Sequence, residues 1–84
     1  IFMMFYVYML KGVNSKITKT YVGYTNNLKL RLKKHNPGTG AKSTRGYKWK
    51  IIYKKRFYDK RLAMSFEYKL KKDFKKRRYL LSIS

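Results

Sequence analysis

The chain has 84 residues and no cysteine, and its 23 lysine and arginine residues outnumber three acidic residues to give a formal net charge of +20. This length suits one domain, and the lack of cysteine excludes disulfides and thiolate metal sites. With one histidine, any bound metal would be a hard, oxygen-bound ion such as magnesium. The charge indicates nucleic acid as the leading partner, because phosphate contacts release counterions. A lysine-rich composition without a binding role is the alternative.

Two strands joined by a hairpin are predicted at the start of the chain. Residues 5–10 are aromatic and aliphatic and predict a core strand, and residues 11–16 predict the loop. Residues 17–24 predict a second strand with Tyr21 and Gly23 on one face. The apolar opening is shorter than the roughly 20 residues that span a bilayer, and it lacks the flanks of a signal peptide. An intracellular protein is therefore expected, in the nucleus or nucleoid if it acts on DNA.

A helix is predicted to follow the second strand and to end near His35. Thr25 or Asn26 is expected to cap its first turn. Arg31 and His35 are one turn apart, so both side chains should point the same way. The sequence Asn-Pro-Gly at 36–38 should end this helix.

A third strand and a last helix complete the predicted elements. Residues 48–58 should form the strand, with alternating apolar side chains at Trp49, Ile51 and Tyr53. Asp59 should cap the last helix, whose apolar stripe is Leu62, Ala63, Phe66, Leu70 and Phe74. The order β-β-α-β-α predicts an α+β domain: a small three-stranded antiparallel or mixed sheet flanked by helices. Its core should span about 5–74, followed by a basic tail at 75–84.

Glu67 is the acidic residue that a structural role explains least. Asp59 serves as a cap, and Asp73 lies among lysines. Glu67 falls within the apolar stripe of the last helix, where a carboxylate is costly unless it is paired or binds a cation. The functional interpretation is a metal ligand or an acid/base. The structural alternative is a half-buried ion pair with Arg31 or a lysine.

Tyrosine, arginine and histidine side chains are expected to meet where the second strand runs into the first helix. An arginine can hold a phosphate by two hydrogen bonds, and a histidine can pass a proton near neutral pH. Tyr8 and Tyr21 lie in neighbouring predicted strands, and Gly23 would let a ligand approach. Each of these residues has an ordinary structural alternative, since the chain contains nine tyrosines and many surface cations.

The order and spacing of these motifs resemble the GIY-YIG nuclease domain. The matching segments are Tyr6-Val7-Tyr8, Tyr21-Val22-Gly23, Arg31 with His35, and Glu67 on a late helix. The resemblance runs from about 6 to 74 and is closest to compact members, including single-domain bacterial proteins and the nuclease half of branched-DNA endonucleases. Tyrosine at position 6 departs from the family's glycine, and Val7 and Val22 stand in place of isoleucine.

The resemblance implies a metal-dependent endonuclease that hydrolyses phosphodiester bonds and leaves a 5′-phosphate and a 3′-hydroxyl. It implies that Glu67 coordinates one Mg²⁺ or Mn²⁺ ion and that Arg31 stabilises the charge that develops at phosphorus. Tyr8 and Tyr21 would position or deprotonate the attacking water, with His35 assisting. The sequence leaves open which group is the base.

The implied partner is DNA, either branched or linear, with roles in DNA repair or recombination. Relatives among the branched-DNA endonucleases also imply a protein partner. They carry a cysteine-rich zinc domain, whereas this chain has no cysteine. A stand-alone viral, phage-like or bacterial member fits the chain equally well.

Basic and polar residues outside this centre are predicted to contact nucleic acid: Lys33, Lys34, Asn36, Lys42, Ser43, Thr44 and Arg45. A solvated loop is the alternative for residues 42–45. The competing function is a non-catalytic nucleic-acid-binding module, such as a ribosomal-protein-like RNA binder. Glu67 separates the two functions, because a carboxylate beside a phosphate site would weaken a pure binder.

Overall fold

The computed structural model describes residues 3–14, 17–36 and 46–84. Within these residues the chain forms three strands and three helices. Their order is β1 (Phe5–Val13), β2 (Thr18–Thr25), α1 (Leu28–His35), β3 (Lys48–Phe57), α2 (Lys60–Lys72) and α3 (Phe74–Ser82). The predicted α+β class and its three-stranded sheet are confirmed, with a third helix added.

β1 is the central strand of an antiparallel sheet with the order β2-β1-β3. Its alternate side chains are buried on opposite faces. Val7 and Met9 pack under α2 and α3, whereas Tyr8 and Leu10 pack on the α1 side. Within the described residues, β2 and β3 each pair with β1 alone, so each has an outer edge without a strand neighbour.

β1 is longer than predicted, because residues 11–13 continue the strand instead of opening the loop. The β1–β2 ladder extends to the Val13–Thr18 pair. Gly12 faces Trp49 of β3, and a β-carbon at Gly12 would lie 2.6 Å from Trp49 Cε3. The glycine therefore makes room for a buried tryptophan.

β3 does not keep the simple alternation that its sequence predicts. Its register against β1 shifts between Met9, which pairs with Tyr53, and Leu10, which pairs with Ile51. The extra residue turns Tyr53 to the α2 face, while Trp49 and Ile51 stay on the α1 face. One inserted residue reverses the facing of all that follow, so the prediction of one shared face for Trp49, Ile51 and Tyr53 was wrong.

α1 begins one residue later than the predicted caps. Asn27 is the N-cap, and its side-chain oxygen accepts a hydrogen bond from the Leu30 N–H at 3.1 Å. Thr25 acts just before it, because its hydroxyl oxygen accepts from the Asn27 N–H at 3.1 Å. The choice of Thr25 or Asn26 as the N-cap was therefore wrong.

Asp73 divides the predicted last helix in two. Asp59 caps α2 as predicted, accepting from the Arg61 N–H at 2.7 Å. Asp73 ends α2 and caps α3, accepting from the Lys76 N–H at 3.1 Å. The basic tail predicted at 75–84, for which an extension of the helix and a frayed end were the two alternatives, largely forms the separate helix α3, and Leu80 is buried in the core. The stripe at Ala63, Phe66 and Leu70 packs inward, but Leu62 and Phe74 are exposed.

Candidate active site

Tyr8 and His35 form a buried hydrogen bond at the centre of the α1 face. The Tyr8 hydroxyl lies 3.2 Å from His35 Nε2, and the two side chains are 1% and 0% exposed. Tyr21 is half-buried beside them, with its ring centroid 4.8 Å from that of His35 and 6.3 Å from that of Tyr8. The strands and α1 thus bring together three of the residues selected from the sequence.

Gly23 provides the space for the Tyr8 hydroxyl. It lies directly opposite Tyr8 in the β1–β2 ladder. A β-carbon at Gly23 would lie 2.7 Å from the hydroxyl oxygen and 3.1 Å from Tyr21 Cε2. Gly23 is therefore needed to make room for the Tyr8 side chain, in addition to any role in letting a ligand approach.

Arg31 extends from the exposed side of α1 toward both tyrosine hydroxyls. Burial raises the pKa of Tyr8, and its hydrogen-bonding interaction with Arg31 opposes that rise. The same interaction with the Tyr8 hydroxyl raises the pKa of Arg31. Burial lowers the pKa of His35, and the nearby charge of Arg31 lowers it further. The free protein near neutral pH therefore holds Tyr8 protonated and His35 neutral.

These protonation states assign a direction to the hydrogen bonds. Arg31 can only donate, so it donates to the oxygen of Tyr8. The Tyr8 proton then remains available to the lone pair of His35 Nε2. We therefore assign His35 as the acceptor of this bond, in a line from Arg31 through Tyr8 to His35.

Glu67 approaches from the other layer of the molecule. It lies on α2, is 17% exposed at its side chain, and pairs with Lys71 at 3.7 Å, one turn further along. This is the half-buried ion pair that the sequence left open, with a lysine as the partner instead of Arg31. The negative charge of Glu67 also raises the pKa of Tyr8, although it contributes less than the other causes of the increase. The carboxylate is therefore close enough to act on the tyrosine electrostatically.

A divalent cation at this position would have one protein carboxylate as its ligand. Among residues 3–14, 17–36 and 46–84, no three acidic, histidine or cysteine side chains lie together as a metal site. Mg²⁺ fits such a donor set, because it commonly keeps several waters and binds one or two carboxylates together with substrate phosphates. Zinc, which prefers three or four nitrogen and sulfur ligands, does not.

The predicted nucleic-acid contacts divide into three groups. Lys33 and Lys34 are exposed in the last turn of α1. Asn36 bridges α1 and β3, since its amide donates to the Trp49 carbonyl at 3.0 Å and accepts from the Trp49 N–H at 2.6 Å. The structure thus gives Asn36 an anchoring role, and its contact with a phosphate stays a prediction. The remaining four, Lys42, Ser43, Thr44 and Arg45, lie outside the described residues.

Sequence reasoning missed two basic residues beside the site. Lys71 and Arg77 line a depression with Thr20, Tyr21 and Val22 at the outer edge of β2. The signal available was the i, i+4 spacing of Glu67 and Lys71. Nothing in the sequence indicates that α3 turns back and places Arg77 beside Tyr21.

The family is settled by comparison with known proteins. The model of the GIY-YIG catalytic domain matches residues 4–80. The chain belongs to the GIY-YIG family. This confirms the resemblance seen in the sequence and implies that the substrate is a nucleic acid.

Two bacterial proteins and one viral protein are among the relatives that are similar to this chain. A UPF0213 protein of Clostridium perfringens is 50% identical over 68 residues, which cover 80% of this chain and 70% of the relative. A UPF0213 protein of Oceanobacillus iheyensis is 45% identical over 67 residues, or 79% of this chain and 74% of the relative. An uncharacterized protein of Acanthamoeba polyphaga mimivirus is 41% identical over 75 residues, or 83% of this chain and 44% of the relative. No solved structure matches the chain significantly.

Within the described residues, no helix of this GIY-YIG domain combines the length and the apolar character that crossing a membrane demands.

Proposed function

We propose that this protein is a metal-dependent DNA endonuclease that hydrolyses a phosphodiester bond at the outer edge of β2. The observation that carries the proposal is the convergence of groups from both layers. Tyr8, Tyr21, Arg31 and His35 meet on the α1 face, and the charge of Glu67 on α2 is near enough to raise the pKa of Tyr8. The composition adds a strong attraction for the polyanionic substrate.

Arg31 and the two tyrosines would position the scissile phosphate and the attacking water. The guanidinium is exposed and fixed by the tyrosine hydroxyls, so it can donate to a phosphate oxygen as negative charge develops. Glu67 would hold Mg²⁺ or Mn²⁺, which supplies Lewis-acid stabilisation of the phosphate when bound. Lys71 must then release Glu67 and becomes available to the substrate.

Tyr8 and His35 would together remove the proton of the attacking water. The water oxygen forms the new bond to phosphorus while its proton passes to the Tyr8 oxygen. The Tyr8 proton moves to His35 Nε2 at the same time, so tyrosinate does not accumulate. The P–O3′ bond breaks, and the 3′-oxygen takes a proton from solvent, leaving a 5′-phosphate and a 3′-hydroxyl.

A nicking assay on end-labelled linear and branched DNA tests this function. We expect cleavage that requires Mg²⁺ or Mn²⁺ and that is lost in Glu67→Gln. Asp73→Asn is the matched control, because it also neutralises a carboxylate on this side of the molecule but keeps an oxygen that can cap α3. Comparison of the two substrates also tests whether branched DNA, and thus a role in repair or recombination, is preferred.

A non-catalytic nucleic-acid-binding module is the second candidate, favoured by the net charge of +20. It predicts tight, salt-dependent binding by wild type and Glu67→Gln, with no metal-dependent cutting of any substrate. Equal cutting by wild type and Glu67→Gln would instead remove Glu67 from the mechanism.

A further inference from the structure

Three cations lie along the outer edge of β2, on the side covered by α2 and α3. Lys71 and Arg77 line the depression that includes Thr20 and Tyr21. A second depression, lined by Thr20, Phe74, Arg77, Arg78 and Leu81, shares Thr20 and Arg77 with the first. We call the two together the edge groove.

Arg77 lies partly buried in the edge groove, where it packs on Phe74. Its Nε is buried and has no hydrogen-bond partner within the described part of the chain. Its guanidinium carbon lies 5.2 Å from the ring centroid of Phe74, and that of Arg78 lies 5.4 Å from the same centroid. The ring of Phe74, which is 63% exposed, thus makes cation–π contacts with two positively charged guanidinium groups.

Within the described residues, no acidic side chain forms an ion pair with Arg77 or Arg78. Only three acidic residues exist. Asp59 and Asp73 cap α2 and α3 with their side chains, and Glu67 pairs with Lys71. Two guanidinium groups on one aromatic ring, without a carboxylate partner, therefore favour an anion from outside the chain.

We propose that the edge groove binds a backbone phosphate of the nucleic-acid strand, a few nucleotides from the scissile phosphate. The proposal rests on the proposed function for its choice of anion. Tyr21 belongs both to the edge groove and to the candidate active site, and Lys71 joins the groove to Glu67. One strand running along the outer edge of β2 can therefore contact both places. Arg77 and Arg78 would hold the strand in register, and neither would touch the reacting atoms.

The test measures binding without metal, so that cleavage plays no part. A labelled duplex carries one uncharged methylphosphonate linkage, moved along the strand in a series of otherwise identical duplexes. For the wild type we expect one position at which the neutral linkage weakens binding several-fold. In Arg77→Ala that penalty disappears, and the slope of log K against log salt falls by about 1.

Arg56→Ala is the matched control. Arg56 is also an exposed arginine over an exposed aromatic ring, with its guanidinium carbon 5.8 Å from the centroid of Tyr58, but it lies on β3 at the opposite edge of the sheet. It should keep the position-specific penalty. Thermal unfolding of both variants checks that they are folded, and Arg77→Gln, which also removes the charge but keeps most of the side-chain stem, replaces Arg77→Ala if that variant is not.

Two results would overturn the inference: a penalty that persists in the folded variant that lacks the charge at position 77, or an equal loss of penalty in Arg56→Ala. A position-specific penalty in a protein that never cuts would support the edge groove and count against the nuclease. Metal-dependent cutting without a position-specific loss of binding would support the nuclease and count against the edge groove.

Discussion

Gly23 and Tyr8 are direct partners across the β1–β2 ladder, and the hydroxyl oxygen of Tyr8 lies only 2.7 Å from the position that a β-carbon of Gly23 would take. The segments Tyr6-Val7-Tyr8 and Tyr21-Val22-Gly23 are therefore complementary in shape. The glycine positions the tyrosine, and the tyrosine in turn contacts His35.

Gly23→Ala should lower cleavage far more than it lowers stability. The new methyl group would lie 2.7 Å from the Tyr8 oxygen, so the ring must move and lengthen the bond to His35. A displacement of about 1 Å in a positioned group costs about 100-fold in rate. Cleavage rates and thermal unfolding, measured on the same preparation, check this expectation.

Gly12→Ala serves as the control for that variant. Its methyl group would meet Trp49 at 2.6 Å, in the core rather than at a hydroxyl group. We expect a loss of about 1–3 kcal/mol in the free energy of unfolding. Activity measured well below the unfolding temperature should largely remain. If both variants lost activity only in proportion to stability, the positioning role of Gly23 would be refuted.

Arg31→Ala should abolish most cleavage while leaving most of the DNA affinity. Loss of a donor that stabilises developing charge costs about 100- to 1,000-fold in rate. One cation among 23 contributes little to the overall affinity. Arg61→Ala, which removes an exposed arginine from the first turn of α2, should cut nearly as fast as wild type. Wild-type cutting by Arg31→Ala would eliminate the proposed role.

Stability should fall as the pH drops below the ordinary pKa of histidine, 6.5. Because burial lowers the pKa of His35 in the folded state, the unfolded chain takes up its proton first. The stabilisation is complete above pH 6.5 and is lost as the pH falls through the lowered folded pKa. Unfolding temperatures between about pH 5 and pH 7.5 should show this loss in wild type and much less of it in His35→Gln.

Tyr8 provides the alkaline counterpart. Burial raises the pKa of folded Tyr8 above the ordinary value of 10.0, so its contribution to stability is complete below pH 10 and is lost as the pH rises through the raised value.

For the acid side, identical profiles of unfolding temperature against pH for wild type and His35→Gln would show that groups other than His35 dominate the loss of stability.

Asn36→Ala should destabilise the fold without weakening phosphate contacts. It removes two hydrogen bonds to the Trp49 backbone and leaves partly buried groups unpaired, at a cost of about 1–3 kcal/mol. The DNA affinity of the folded protein should stay unchanged. Asn26→Ala, in an exposed position, should change neither quantity. Weaker DNA binding by folded Asn36→Ala would support the phosphate contact that the sequence predicted.

Local sequence signals predicted the order of the elements and the meeting of Tyr8, Tyr21, Arg31 and His35. Strand alternation and the one-turn spacing on α1 suffice for that, because both are periodicities of the backbone itself. The capping role of Asp59 was equally predictable, since a short polar side chain stood immediately before an apolar stripe.

Features that depend on a distant contact were not predictable. Gly12 indicated a loop until its partner Trp49 was known, and the extra residue in β3 has no local marker. Asp73 was expected to lie in an ion pair among lysines, but it separates two helices. Arg77 beside Tyr21 is a consequence of that break, which no periodicity encodes.

The residues of the proposed site come from both faces of the sheet. Tyr8, Tyr21, Arg31 and His35 belong to the α1 side, while Glu67, Lys71 and Arg77 belong to the side of α2 and α3. Hydrolysis would therefore require both sides of the sheet to be in place, whereas the general electrostatic attraction to DNA would come from the net charge of the chain. A partly unfolded molecule, in which α2 and α3 are detached from the sheet, would still bind DNA but would not cleave it.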